Sequence, residues 1–142
     1  MQGSLGRLDQ AEADARRAVE LDPRCGRSRC ALGAVLAARG DWTGAAAALD
    51  RAVELEPELA PLRFYRAQVR AQRGDDPGAL ADLEHALARQ PEALEGQLLR
   101  ARLLARNGRT DEARQGLRRA LEGAPPSPLA DQARALLAQL ER

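Results

Sequence analysis

Residues 40–57 read GDWTGAAAALDRAVELEP, four consecutive alanines between a Gly-Asp opening and a Glu-Pro close. Alanine is the strongest helix former, so Ala45 to Ala48 predict a helix. That alone does not explain why a soluble chain forgoes larger apolar side chains, which remove more surface from water. The same punctuation recurs along the chain. Gly6, Gly40, Gly74 and Gly108 follow one another at a constant interval of 34, and so do Ala11, Ala45, Ala79 and Ala113. Ala18, Ala52, Ala86 and Ala120 form a third register, and Pro23, Pro57, Pro91 and Pro125 a fourth. Registers held this strictly, with no insertion, define an internal repeat.

Each register has a mechanical role. Gly40, Gly74 and Gly108 follow the helical runs CALGAVLAARG, FYRAQVRAQRG and LLRARLLARNG. A left-handed helix cap favours glycine at such a point. Asp or Thr comes next, often with a further acid (GDWT, GDDP, GRTDE), to cap and charge-complement a second helix. Pro77 suits a first helical turn, and the recurrent proline ends the second helix. The paired alanines lie seven residues apart, two turns along one face. With Gly33, Ala67 or Ala101 on the first helix, they let two helix axes approach closely. Flanking Leu32, Leu36, Leu49 and Val53, then Leu83 and Leu87, then Leu103, Leu104, Leu117 and Leu121 fill the sides. Ala45 is thus expected to be small because another helix packs on it.

Composition excludes several classes. The chain of 142 residues is 44% apolar, and almost a third of it is charged. That balance is ordinary for a soluble globular protein. A net charge of +1 gives no electrostatic basis for binding nucleic acid or an anionic membrane surface. All 22 basic residues are Arg, Lys and Ile are absent, and Asn107 is the one Asn, a bias that fits a GC-rich, bacterial coding sequence. No apolar run reaches the length of a membrane span, and the first residues lack a leader's apolar segment, so cytoplasm is the expected compartment. Cys25 and Cys30 stand five apart, which is not metal-ligand spacing, and the single histidine, His85, is distant in sequence. Two incidental thiols are expected, with no metal and no cofactor.

This grammar resembles the tetratricopeptide repeat, a helix-turn-helix unit of about 34 residues. The resemblance implies an all-α fold, a right-handed α-solenoid of antiparallel helix pairs. Repeats are expected at 26–59, 60–93 and 94–127, after the second helix of an incomplete repeat within 1–25 (about 7–21) and before a C-terminal capping helix within 128–142. That last helix should align Leu129, Ala133, Leu136, Leu137 and Leu140 on one face. Two departures from the family pattern stand out. An aromatic residue early in the first helix is replaced by Arg29, Arg63 and Gln97, and Arg66 and Arg100 stand where leucine is usual, as at Leu32. The first helix lacks its partner, leaving Leu8, Ala11, Ala15 and Ala18 on an open face. A fragment of a longer array, or a face capped by another molecule, is preferred over a frayed terminus.

In the family, the first helices line a concave groove that holds a peptide or a partner's helix. The matching positions here are Arg27, Cys30, Ala34 and Ala38; then Phe64, Tyr65, Gln68 and Gln72; then Glu95, Leu98, Leu99, Arg102 and Arg106. Phe64 and Tyr65 are two of the chain's three aromatics, Trp42 being the other, and aromatics are favoured interface anchors. Gln68 and Gln72 could bond a peptide backbone, and Arg102 and Arg106 a carboxylate. The ordinary readings stand beside these: Phe64 as packing between repeats, the arginines as a solvated face. The Lys/Asn/Arg clamp by which some family members grip acidic chaperone tails is absent, its positions being Cys30, Ala34, Tyr65, Glu95 and Leu99.

Catalysis is not expected. There is no Gly-rich phosphate loop and no GxSxG. Asp82 and Glu84 are read as solvent-facing, His85 as outward-pointing, and Trp42 as a packing residue. A protein-interaction scaffold is the leading reading. Self-association or docking through the open N-terminal face is the second, and a regulatory segment of a larger protein or enzyme the third.

Overall fold

The structure, a computed structural model, describes residues 2–142 (backbone only at residue 2). The described residues form eight α-helices and no strand. They are α1 (Gln2–Leu21), α2 (Gly26–Ala38), α3 (Trp42–Leu55), α4 (Ala60–Gln72), α5 (Asp76–Arg89), α6 (Leu94–Arg106), α7 (Thr110–Leu121) and α8 (Pro128–Leu140). The chain divides into two compact units, one up to Ala79 and one over Leu80–Arg142, the division falling inside α5.

The turns inside the pairs are built alike. Gly40, Gly74 and Gly108 all have positive φ, at 82, 82 and 80 respectively on the degree scale. This is the left-handed region open to glycine. At the first turn, the Gly40 amide donates to the Ala37 carbonyl and the Asp41 amide to the Leu36 carbonyl, both at 2.9 Å. Asp75 and Arg109 close the other two turns in the same way, onto Arg70 and Leu104 at 2.8 Å each. This is the Schellman pattern, which satisfies carbonyls left over at a helix end. In two of the three, the next helix then starts on a cap. The Asp41 carboxylate accepts from the Gly44 amide at 2.9 Å, and that of Asp75 from the Gly78 amide at 3.0 Å. A Cβ on Gly44 or Gly78 would collide with the capping carboxylate, so glycine leaves room for this rotamer. The third copy has Arg109 instead, which pairs with Glu112 through Nε and Nη2 at 2.9 and 2.8 Å.

In the first unit, α2 packs against α1, α3 and α4, and α3 also meets α4. Ala45 and Ala52 are fully buried, and a Cβ on Gly33 would stand 2.9 Å from the Leu49 Cγ. The alanines at 45 and 52 are small because α2 lies on them. Leu32, Leu36, Leu49, Val53, Leu62 and Val69 complete the core, with Trp42 packed at its margin.

The first helix differs from its expectation twice. It begins near residue 2, not near 7, because Gly6 stays helical where its register-mates close turns. Ala15 is buried, not open, since α2 covers the side of α1 that carries Ala15 and Val19. Leu8, Ala11 and Ala18 remain half-buried, although Ala11 and Ala18 share the register of the fully buried Ala45 and Ala52. Arg39 ties the two helices, its Nε 2.8 Å from Glu12 and its Nη2 on Asp9.

In the second unit, α6, α7 and α8 pack on one another. Ala101, Leu103, Leu104, Ala113 and Leu117 are buried, and α8 adds Ala130 and Ala133. Leu136, Leu137 and Leu140 are partly covered beside them. Ser127 caps α8, its hydroxyl accepting from the Ala130 amide at 3.0 Å. At the other end, Arg114 donates to the Leu140 carbonyl from Nε at 2.9 Å and Nη2 at 2.5 Å. One expectation is overturned: Asp82 is only 1% exposed. It shares its helix stripe with Ala79, Leu83 and Ala86, all of them buried. No buried side-chain nitrogen or oxygen among the described residues lacks a hydrogen-bond partner, so this burial is compensated.

Candidate functional site

Helices α2 and α4 are in contact, so their outward faces are neighbours. On α4, Tyr65 is 44% exposed. Gln68 and Gln72 flank it along the same helix, and Phe64 is half-buried. On α2, Arg27 and Ala34 are exposed, Ala38 lies at the helix end, and Cys30 is buried in the core. The Arg27 amide donates to the Glu56 carboxylate at 3.2 Å, which caps α2 from the end of α3 and leaves the guanidinium on the surface. The exposed groups are thus a tyrosine ring and two amides on α4 and one cation on α2, while Cys30 presents nothing to a ligand.

In the second unit, Arg102 and Glu95 are exposed on α6, Arg106 follows one turn on, Leu99 is half-buried and Leu98 is buried. Arg102 donates from Nη2 to the Gln132 Oε1 on α8 at 3.4 Å. A bond this long does not fix the guanidinium. Arg102 and Arg106 form a cationic strip on a helix packed against α8. Leu98 belongs to the core beneath it.

The two thiols differ sharply. Cys25 stands just before α2, and a hydrogen bond from the Ser28 side chain, then one from the Ser28 amide, pull its pKa below the ordinary thiol value. Burial pushes the Cys30 thiol up to about 11. His85 is exposed. Among the described residues no group of three or more His, Cys, Asp or Glu is arranged to hold a metal ion. No helix there is long and apolar enough to cross a membrane.

The tetratricopeptide repeat family model matches residues 2–61, 30–84 and 64–128. No curated protein matches the sequence. Among solved structures, TTC0263, a thermophilic TPR protein of Thermus thermophilus, is similar at 28% identity with a TM-score of 0.81, over 99% of this chain and 76% of that one. YrrB, described as a TPR protein with an unusual peptide-binding site, matches at 23% identity and a TM-score of 0.74, over 98% of this chain and 72% of that one. The first TPR of Spaghetti (RPAP3), bound to HSP90 peptide SRMEEVD, matches at 17% identity and a TM-score of 0.73, over 82% of this chain and 92% of that one.

Proposed function

The chain belongs to the tetratricopeptide repeat family, and from that premise we propose that it is a protein-interaction scaffold whose first helices hold a peptide or partner segment. The repeats on this reading are 26–59, 60–93 and 94–127. The observation that carries it is the surface of α4, where Tyr65 lies open to solvent beside Gln68 and Gln72 in a chain with three aromatics. Tyrosine supplies a large contact area at a low entropic cost, and the two amides match a peptide's main-chain donors and acceptors. In the second unit, taken by itself, Arg102 and Arg106 would receive a carboxylate of a partner. Peptide binding by YrrB and by the Spaghetti repeat supports a peptide as the class of ligand. The acidic Spaghetti peptide is a poor model for the sequence bound, because Cys30, Ala34, Tyr65, Glu95 and Leu99 offer no clamp. No catalytic residue is assigned.

Selection of a displayed random-peptide library on the full chain, followed by titration of a selected peptide, tests this reading. Phe64→Ala with Arg102→Ala, and Tyr65→Ala separately, should each weaken binding about tenfold or more with helicity intact. Undiminished binding in both would overturn it.

The half-open face of α1 favours a second reading, docking or self-association. Leu5 and Leu21 are strongly exposed on that helix, and Ala11 and Ala18 stay half-covered. Light scattering across a concentration series decides: a monomer at every concentration removes self-association.

A further inference from the structure

Helices α3 and α4 border a pocket of about 350 Å³, within the range of small-ligand sites. Ala46 and Val69, both buried, give it an apolar floor, and Asp50, Arg66, Arg70 and Arg73 stand around it. Asp75 completes the lining. The three arginines follow at i, i+4 and i+7, one stripe of α4. At about 100° per residue this stripe lies well round the helix from Tyr65, Gln68 and Gln72, so the pocket is distinct from the surface described above.

The lining carries more positive than negative charge. Asp75 is held as the cap of α5, accepting from the Gly78 amide at 3.0 Å. Asp50 is shared, its Oδ1 3.5 Å from the Arg66 Nη1 and 4.0 Å from the Arg70 Nη2. Both separations exceed the roughly 2.7–2.9 Å of a tight charge-assisted bond. Arg70 also donates from Nη1 to the Gly78 carbonyl at 3.3 Å, and Arg73 stands exposed at the rim. Three cations thus converge on a cavity where one carboxylate is loosely held and the other is committed to a helix end.

The repeat supplies its own control. The equivalents of Arg70 in the neighbouring copies are Leu36 and Leu104, both buried, and those of Arg73 are Arg39 and Asn107. An arginine at 70 thus replaces the leucine that fills this junction in the other copies. Such departures from a protein's own packing rule concentrate where a ligand is handled.

We propose that this pocket binds an acidic side chain of a partner protein segment, glutamate above all. Arg70 and Arg73 grip the carboxylate, Arg66 completes the positive field, and Ala46 and Val69 receive the methylenes. The apolar floor is what favours an acidic side chain over a bare inorganic oxyanion.

Fluorescence anisotropy of the full chain with labelled hexaglutamate and hexaglutamine peptides, at low ionic strength, tests this. Hexaglutamate should bind about tenfold tighter or better. Arg70→Leu, which installs the residue found at 36 and 104, and Arg73→Gln at the exposed rim should each abolish that preference. Arg51→Gln and Tyr65→Ala should leave it unchanged, which separates this pocket from the α4 surface and from general charge. Free glutamate should compete better than inorganic phosphate. Equal binding of the two peptides, indifference to Arg73→Gln, loss on Arg51→Gln or Tyr65→Ala, or stronger competition by phosphate would each overturn the assignment. If Arg70→Leu perturbs folding, as circular dichroism would reveal, Arg73→Gln alone carries the test.

Discussion

The Arg29 guanidinium donates through both Nε and Nη2 to the carbonyl of Pro23, each at 3.2 Å. The relationship recurs: the Arg63 Nε donates to the Pro57 carbonyl at 3.4 Å and the Gln97 Nε2 to that of Pro91 at 3.0 Å. These three side chains occupy the place where the family pattern carries an aromatic. A polar donor here holds the proline turn that leads from one repeat into the next helix, work that ring packing would otherwise do. Arg29→Ala should cost about 0.5–1.5 kcal/mol, the usual net value of such a bond. Urea denaturation measures it, and an unchanged midpoint would reduce the contact to surface decoration.

Glycines of one register should respond oppositely to alanine. Gly74 has a positive φ, so Gly74→Ala forces a side chain into the left-handed region. The change should destabilise by about 1 kcal/mol. Gly6 lies inside α1 with open space around it. Gly6→Ala should therefore stabilise by up to about 1 kcal/mol. Thermal melts of the two variants should shift in opposite directions.

Overpacking the helix contacts should be costly. Ala79 and Ala113 are fully buried. Ala79→Leu or Ala113→Leu should each lose about 1–3 kcal/mol. Arg51 sits at the surface, paired with Glu54 at 3.1 Å. Such pairs contribute little, so Arg51→Ala should cost at most about 0.5 kcal/mol. Similar melting temperatures for the two classes would mean that the faces are misassigned.

The thiols should separate by reactivity. With its pKa lowered by Ser28, Cys25 exposes more thiolate at mildly alkaline pH, and iodoacetamide should label it first. Cys30, raised to about 11 and buried, should label only as the chain opens. The sign for stability follows. The native state keeps a proton that the unfolded chain loses above the ordinary thiol value of 9.0, so this contribution is full below that value and lost as pH rises toward about 11. Peptide mass spectrometry over a labelling time course reads both sites, and equal rates would contradict the assignment.

Much of the fold was legible because the rules that place it are local. A glycine after a helical run, an aspartate after the glycine and a proline at a fixed interval each act within a few residues. What escaped depends on neighbours in space. Gly6 carries the right residue in the right register, yet it lies inside α1 with a helical backbone. Asp82 looks like a solvated acid in sequence, although its equivalents, Ala48 and Gly116, are both small and hint that the position faces a helix. Cys30 and Leu98 hold groove positions by family register, yet the packing around them is tight enough to cover both. Tyr65 stands out in the sequence because aromatics are scarce, and the structure leaves it open to solvent. The contrast of Arg70 with Leu36 and Leu104 is written in the chain, but only coordinates reveal the space beside it.

The Schellman-closed turns at Gly40, Gly74 and Gly108 use only atoms from their own few residues. A stretch of gene copied in whole periods therefore carries its hinges along, preset and needing no adjustment from the rest of the chain. Lengthening such a protein by duplication is an inheritance of finished joints, and selection is left to reshape only what each new link presents to the outside.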